Sequence, residues 1–295
     1  MILSIASGKG GTGKTTIAVN LALSLRETHA VQFLDCDVEE PNAHFFLKPH
    51  IGGTRVVSIP VPEIIENKCT YCGKCAEVCA YNALAVLKDK VLVFPELCHG
   101  CGGCSLLCPE NAIKEKGQRI GLIEVGFSKN MQFIHGKLDI GQAMSPPLIR
   151  EIKKCTNSTR LVIIDAPPGT SCPVIEALKG SDFSLLVTEP TPFGLNDLKL
   201  SVETLKELGI PFGVVINRAG VGDSGVTDYC REESLPLLMT LPMDRSIAVA
   251  YSEGEPIVEV MPAYRKKFTE LFEKIQDLHI AKSGYGIPEE GTEVQ

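Results

Sequence analysis

Gly8-Lys9-Gly10-Gly11-Thr12-Gly13-Lys14-Thr15-Thr16 lies between a short apolar run and a helical pattern. The run is Ile2, Leu3, Ile5 and Ala6, read as a strand. From Thr15 onward, Ile17, Leu21, Ala22 and Leu25 recur at helical spacing. Strand, G-x4-G-K-T, helix is the context of a phosphate-binding loop. Its glycines let backbone N–H groups wrap phosphates, and the helix N-terminus adds a favourable dipole. Gly8, Gly10, Gly11, Thr12, Gly13 and Thr16 are the candidate cradle. Lys14 is expected to reach the β- and γ-phosphates of ATP, and Thr15 to ligate Mg2+.

Outward from this loop, strands and helices alternate. Val31-Gln32-Phe33-Leu34 reads as a strand ending in Asp35-Cys36-Asp37, and Leu161-Val162-Ile163-Ile164-Asp165 as another ending in an acid. Further strands are expected at 183–187, 211–216 and 237–241, and helices at 195–208, 226–233 and 263–280. Segments 120–127 and 131–137 read as a hairpin turning at Ser128-Lys129-Asn130. The alternation predicts an α/β fold with a mostly parallel sheet and helices on both faces.

The chain between these elements carries a second signal. Cys69, Cys72, Cys75 and Cys79 are spaced C-x2-C-x2-C-x3-C, and Cys98, Cys101, Cys104 and Cys108 repeat the run 29 residues later. In such paired runs the fourth cysteine ligates the other cluster. The expected sets are Cys69, Cys72, Cys75 with Cys108, and Cys98, Cys101, Cys104 with Cys79. The repeat extends further: Cys79-Ala80-Tyr81-Asn82-Ala83-Leu84 parallels Cys108-Pro109-Glu110-Asn111-Ala112-Ile113. Zinc sites more often show two separated C-x2-C pairs. Two [4Fe–4S] clusters are therefore expected, alongside ATP and Mg2+.

Composition bounds the rest. The chain has 295 residues, 44% hydrophobic and 22% charged, enough for one large and one small domain. Net charge is −7 with no long basic run, which points away from nucleic acid. The start has no basic n-region, and no stretch has the apolar length of a membrane span. A reducing, cytoplasmic location is expected, which fits thiolates rather than disulfides.

Residues 62–117 resemble a ferredoxin with two [4Fe–4S] clusters, departing from that family at Ala80, where proline usually follows the fourth cysteine. The remainder resembles the MinD, ParA, Mrp and nitrogenase iron protein group. Its mark is Lys9 in K-G-G-T-G-K-T-T, a deviant Walker A loop. The resemblance implies that Lys9 crosses a dimer interface to the partner's nucleotide, so an ATP-dependent homodimer is expected. Asp35-Cys36-Asp37 looks like switch I, with Asp37 near the attacking water or the Mg2+ shell and Asp35 open to either a structural or a catalytic role. Asp165 matches the Walker B acid, and Ala166-Pro167-Pro168-Gly169-Thr170 looks like switch II. Asn217 matches the residue that reads the adenine edge, and Pro242 lies in the other adenine-side loop. The implied architecture is a discontinuous ATPase domain, 1–61 and 118–280, with the insert at 62–117 and a polar tail at 281–295. No basic amphipathic membrane helix ends the chain.

Cys36, Cys155 and Cys230 read as small buried residues. Cys172 lies seven residues after Asp165, the offset of a cluster ligand in the nitrogenase iron protein, yet that family's second ligand has no match here. The six histidines, including His99, lack ligand spacing. Functionally, the chain is expected to be an ATPase that couples nucleotide state to electron transfer. An Mrp-like carrier or maturation factor for metal-cluster proteins is the alternative, and a partitioning-type organiser with redox-sensing clusters a third reading. A redox partner or a cluster-receiving client protein is implied.

Overall fold

Strand β1 (Ile2–Ala6) lies in the interior of a nine-stranded sheet in the computed structural model, which describes residues 1–283. The other strands are β2 (Val31–Asp35), β3 (His50–Ile64), β4 (Leu84–Val86), β5 (Val91–Val93), β6 (Ile113–Ser128), β7 (Met131–Leu138), β8 (Leu161–Asp165), β9 (Phe183–Thr188), β10 (Phe212–Ala219) and β11 (Leu237–Pro242). The sheet order is β11-β10-β9-β1-β8-β2-β7-β6-β3, with β4 and β5 in a separate hairpin. From β11 through β7 every pairing is parallel; β6 and β3 add an antiparallel edge. The expected α/β fold with a mostly parallel sheet is the one observed.

Burial on both faces explains the composition of the central strands. Leu3, Ile5, Phe33, Phe133 and Ile163 face one core, closed by the helices Lys14–Leu25 and Ala263–Ser283 through Ile17, Leu21, Phe268 and Leu271. Ala6, Leu34, Ile134 and Ile164 face the other, closed by Pro146–Lys153, Cys172–Leu178 and Pro192–Glu207 through Leu148, Ile152, Ala177 and Leu198. Strands enclosed on both sides read as continuous apolar runs rather than alternations. The helix Pro192–Glu207 begins three residues earlier than expected, because Thr191 caps it by accepting from Gly194 N at 3.0 Å and Pro192 suits the first turn.

The largest difference from expectation is the edge ribbon. β3 and β6 pair at fourteen positions, from His50↔Phe127 to Ile64↔Ile113, so β6 starts seven residues before 120 and its partner β3 was not anticipated. Pro60 and Pro62 argue against a strand in sequence, yet β3 is the outermost strand, where a missing N–H costs no ladder bond. At the other end, Ser128↔Met131 leaves only Lys129-Asn130 in the turn, with Lys129 left-handed at φ 55°. The boundaries expected at 61/62 and 117/118 fall within this ribbon. Val57, Ile59 and Val61 carry the second core outward along it to Ala83 and Cys98. The polar tail expected over 281–295 lies, from residue 284 on, outside the described residues.

Candidate nucleotide and metal-cluster sites

The C-terminal ends of β1, β2, β8, β9, β10 and β11 converge on one cleft of about 650 Å3, the usual ligand position in open α/β sheets. Gly10, Gly11, Gly13, Lys14, Thr15, Thr16, Asp37, Asn217 and Pro242 line it. Gly13 is left-handed, φ 93°, and a Cβ there would overlap the Asn217 amide nitrogen. Lys14 opens the following helix and is buried.

Two carboxylates meet beneath the loop. Asp165, fully buried, accepts from Thr15 Oγ1 at 2.6 Å through Oδ2; its Oδ1 has no partner among the described residues. Burial raises Asp165 to about 6, against opposing effects of Lys14 and the Thr15 hydroxyl. Burial likewise raises Asp37 to about 6, with Lys14 the main opposing charge. Such groups become anions readily when a cation arrives, so Thr15, Asp165 and Asp37 form a donor set suited to a hard, oxygen-seeking ion such as Mg2+. Asp35 plays a different part. Its oxygens accept from Asp37 N and Ala43 N, each at 3.1 Å, and shape the segment carrying Asp37. Desolvation and the neighbouring Asp165 push Asp35 well above the usual carboxylate range. Between them, Cys36 is fully buried, and burial drives its thiol far up, which makes it a packing residue.

Asn217 is committed to the loop. It donates to Thr12 O at 2.8 Å and accepts from Arg218 N at 2.9 Å, fastening β10 to the glycines. Glu189 was not anticipated: it lies 3.9 Å from Lys9 and 2.5 Å from Arg218 and thus joins the two cations at the cleft mouth. Its position just after β9 was the only signal available. Tyr251, Ile247 and Met243 give the cleft an apolar wall beyond Pro242.

The insert is built twice. Residues 66–68 and 95–97 form matching 3-10 turns, and 74–77 and 103–106 matching helical turns, each offset by the 29 residues that separate the cysteine runs. Left-handed backbone recurs in register: Tyr71 with Gly100, Gly73 with Gly102, Asn82 with Asn111. Even the pairing repeats, since Leu84↔Val93 corresponds to Ile113↔Ile64.

Each half closes one cavity. Cys69, Cys72, Cys75 and Cys108 line the first, together with Ile64, Val86, Val91 and Ile113. Cys98, Cys101, Cys104 and Cys79 line the second, with Pro60, Pro62, Tyr81 and His99. These are the cross-paired sets read from the sequence. Backbone N–H groups of Ala112, Ala83 and Gly100 donate to Cys108, Cys79 and Cys98 sulfurs at 3.3, 3.3 and 3.4 Å. All eight thiols are unpaired. Among the described residues no three His, Cys, Asp or Glu side chains converge as around a single ion. Thiolates at the corners of a four-iron cluster bind separate irons and need no such convergence. Four sulfurs around an apolar cavity, with amides directed at them, therefore fit a [4Fe–4S] group. Tyr81 and His99 stack at 3.3 Å over the second cavity, and burial holds the His99 imidazole below its ordinary value.

The remaining cysteines separate. Cys230 is buried, its thiol pushed up to about 11 by desolvation; Cys172 is exposed at the first turn of its helix.

The description "CobQ/CobB/MinD/ParA nucleotide binding domain" matches residues 3–257. The chain belongs to this family. Within the CobQ/CobB/MinD/ParA family, an uncharacterised protein of Methanocaldococcus jannaschii is 34% identical over 267 residues, covering 88% of this chain and 92% of its own. An iron–sulfur cluster carrier protein of Rickettsia typhi is 24% identical, covering 90% of this chain and 69% of its own. Among solved structures, the septum site-determining protein MinD of Pyrococcus horikoshii, complexed with Mg-ADP, superimposes with a TM-score of 0.58 at 21% identity, over 97% of this chain and 99% of that one. At that identity the likeness establishes the fold alone. No described helix is long and apolar enough to cross a membrane.

Proposed function

We propose that this chain is an ATP-hydrolysing iron–sulfur protein that couples nucleotide state to electron transfer through two [4Fe–4S] clusters. The observation that carries the reading is the segregation of eight cysteines into two four-sulfur cavities, on a ribbon rooted in the nucleotide-binding sheet. Fully cysteine-ligated clusters suit electron transfer better than cargo, which needs exchangeable ligands. Such clusters supply one-electron storage when bound.

On the nucleotide side, Lys14 and the loop amides hold the β- and γ-phosphates. Thr15 ligates Mg2+, and Asp165 holds its shell directly or through water. Asp37 orients the attacking water, while Pro242 and Asn217 border the base. Lys9 reaches the partner's nucleotide in an ATP-dependent homodimer, leaving Glu189. The ribbon then carries a change at switch I toward the insert, because β3 begins thirteen residues after Asp37.

A second reading, a carrier or maturation factor for metal-cluster proteins, is favoured by the likeness to iron–sulfur cluster carriers. Redox titration followed by EPR, without nucleotide, with ADP and with a slow ATP analogue, separates the two. Coupled electron transfer requires nucleotide-dependent potentials and, by reciprocity, redox-dependent nucleotide affinity. Unchanged potentials and affinities, with clusters that pass to an apo-acceptor, favour the carrier.

A further inference from the structure

The duplication inside the insert supplies an internal control, because most positions around one cavity have a counterpart 29 residues away around the other. Most counterparts are alike: Ala83 and Ala112, Leu84 and Ile113, Gly73 and Gly102. Charge is where they part. The fixed charges lining the first cavity are Lys74 and Glu110, of opposite sign. Their counterparts at the second are Gly103 and Tyr81, which carry none. The second cavity has instead Glu115, where the first has Val86.

Glu115 is held at its post. Its Oε1 lies 2.8 Å from Ser105 Oγ, and Gly102 O lies 2.9 Å from the same hydroxyl, whose single proton serves both acceptors. The carboxylate thus lies against the Cys101–Cys104 loop, 3.0 Å from where a Cβ on Gly102 would stand. Ser105 itself replaces Ala76 of the other half, which has no hydroxyl to offer. The Glu115 carboxylate and its Ser105 anchor occur together at one site, and the twin has Val86 and Ala76 in their places.

A negative charge beside a cluster opposes an added electron and lowers its potential. We propose that Glu115, anchored by Ser105, makes the Cys98/Cys101/Cys104/Cys79 site the lower-potential of the two, so that the first electron rests at the Cys69/Cys72/Cys75/Cys108 site. This rests on the two-cluster reading above and adds an order of filling to it. The low-potential site is the one against Pro60 and Pro62 of the ribbon, nearer the nucleotide domain; the site that keeps the electron is the outer one. Glu115 is a tuning residue and ligates nothing.

The test is a dithionite titration of the full-length protein, reconstituted anoxically and followed by EPR, with iron and sulfide measured on the same samples. Wild type should reduce in two waves. Glu115→Gln, which removes charge but keeps an acceptor for Ser105, should move the lower wave to more positive potential and leave the upper one in place. Glu115→Val, the residue of the other half, should do the same and serves if the glutamine variant assembles poorly. Lys74→Gln should move only the upper wave, to more negative potential. Coincident waves in wild type, or Glu115 variants that move neither wave or only the upper one, overturn the proposal while the two-cluster reading stands. Protein that binds no iron after reconstitution overturns both.

Discussion

Thr15 and Asp165 are 150 residues apart in sequence and joined by a 2.6 Å hydrogen bond, donated by the threonine hydroxyl to the buried carboxylate. This bond ties the phosphate loop to the end of β8. The other Asp165 oxygen has no partner among the described residues, and an unpartnered buried polar atom costs on the order of 1–3 kcal/mol. A cation bound by Thr15 would relieve that cost, and the nucleotide-free site is thereby biased toward metal uptake.

The pH dependence follows from this bias. Asp165 and Asp37 are both raised to about 6 from the usual 3.8, mainly by burial. A raised carboxyl binds more protons folded than unfolded, so the nucleotide-free protein loses stability as pH rises from about 4 to about 6. Mg-nucleotide needs the ionised form and gains over the same window. Thermal melts at pH 5 and 7.5 should show a stabilisation by Mg-ATP that grows with pH. Asp165→Asn should flatten that trend; an unaltered trend in the variant would show that other groups set it.

Lys14→Ala should weaken Mg-ATP binding beyond ready detection, because the phosphates lose their main side-chain cation. Lys9→Ala should bind nucleotide nearly as wild type but lose hydrolysis and ATP-dependent dimerisation. Isothermal titration and light scattering measure the two effects. A wild-type chain that stays monomeric in every nucleotide state, also with hydrolysis blocked, would sink the trans-acting lysine.

Anoxically purified protein should contain about eight irons and eight sulfides per chain, as two four-iron clusters ligated by eight thiolates. Cys108→Ser and Cys79→Ser should each perturb the cluster of the opposite run, because each lines the other run's cavity. Stoichiometric zinc in fully reconstituted material would contradict this.

Phe33 is wholly buried in the sheet and stacks on Phe133 with centroids 6.0 Å apart. Phe33→Ala should cost about 3–5 kcal/mol of unfolding free energy, the usual range for a buried aromatic truncated in a core. Urea denaturation read by circular dichroism gives the value, and a loss below about 1 kcal/mol would mean the core repacks around the gap.

Much of the fold and of the candidate sites is legible in the sequence. The doubly buried strands announced themselves as apolar runs, and the cysteine spacing contained the cross-pairing that the cavities display. The phosphate loop could be read because only glycine tolerates the conformation at Gly13. What stayed hidden depends on contacts made at a distance. The prolines of β3 disguised a strand that only its edge position permits. Asp35 is ambiguous in the sequence because its two backbone partners, Asp37 N and Ala43 N, are brought to it only by the fold. The resemblance assigns Asn217 to the adenine side, but its bond to Thr12 O is a meeting of β10 with a loop 205 residues away. Glu189 gave no motif at all.

The ribbon also bears on how such a chain can change over generations. Ile64 and Ile113 are direct antiparallel partners, so everything from 65 to 112 leaves and re-enters the sheet at adjacent points. A segment whose ends already touch can be gained, lost or exchanged without moving any parallel strand. Joining 64 to 113 through a two-residue turn would leave an ordinary hairpin. The constraint on such an exchange is the apolar row Val57, Ile59 and Val61, which now packs toward Ala83 and Cys98. A descendant that dropped the module would have to turn that row polar, and one that kept the row while swapping the module would have to cover it with something equally apolar.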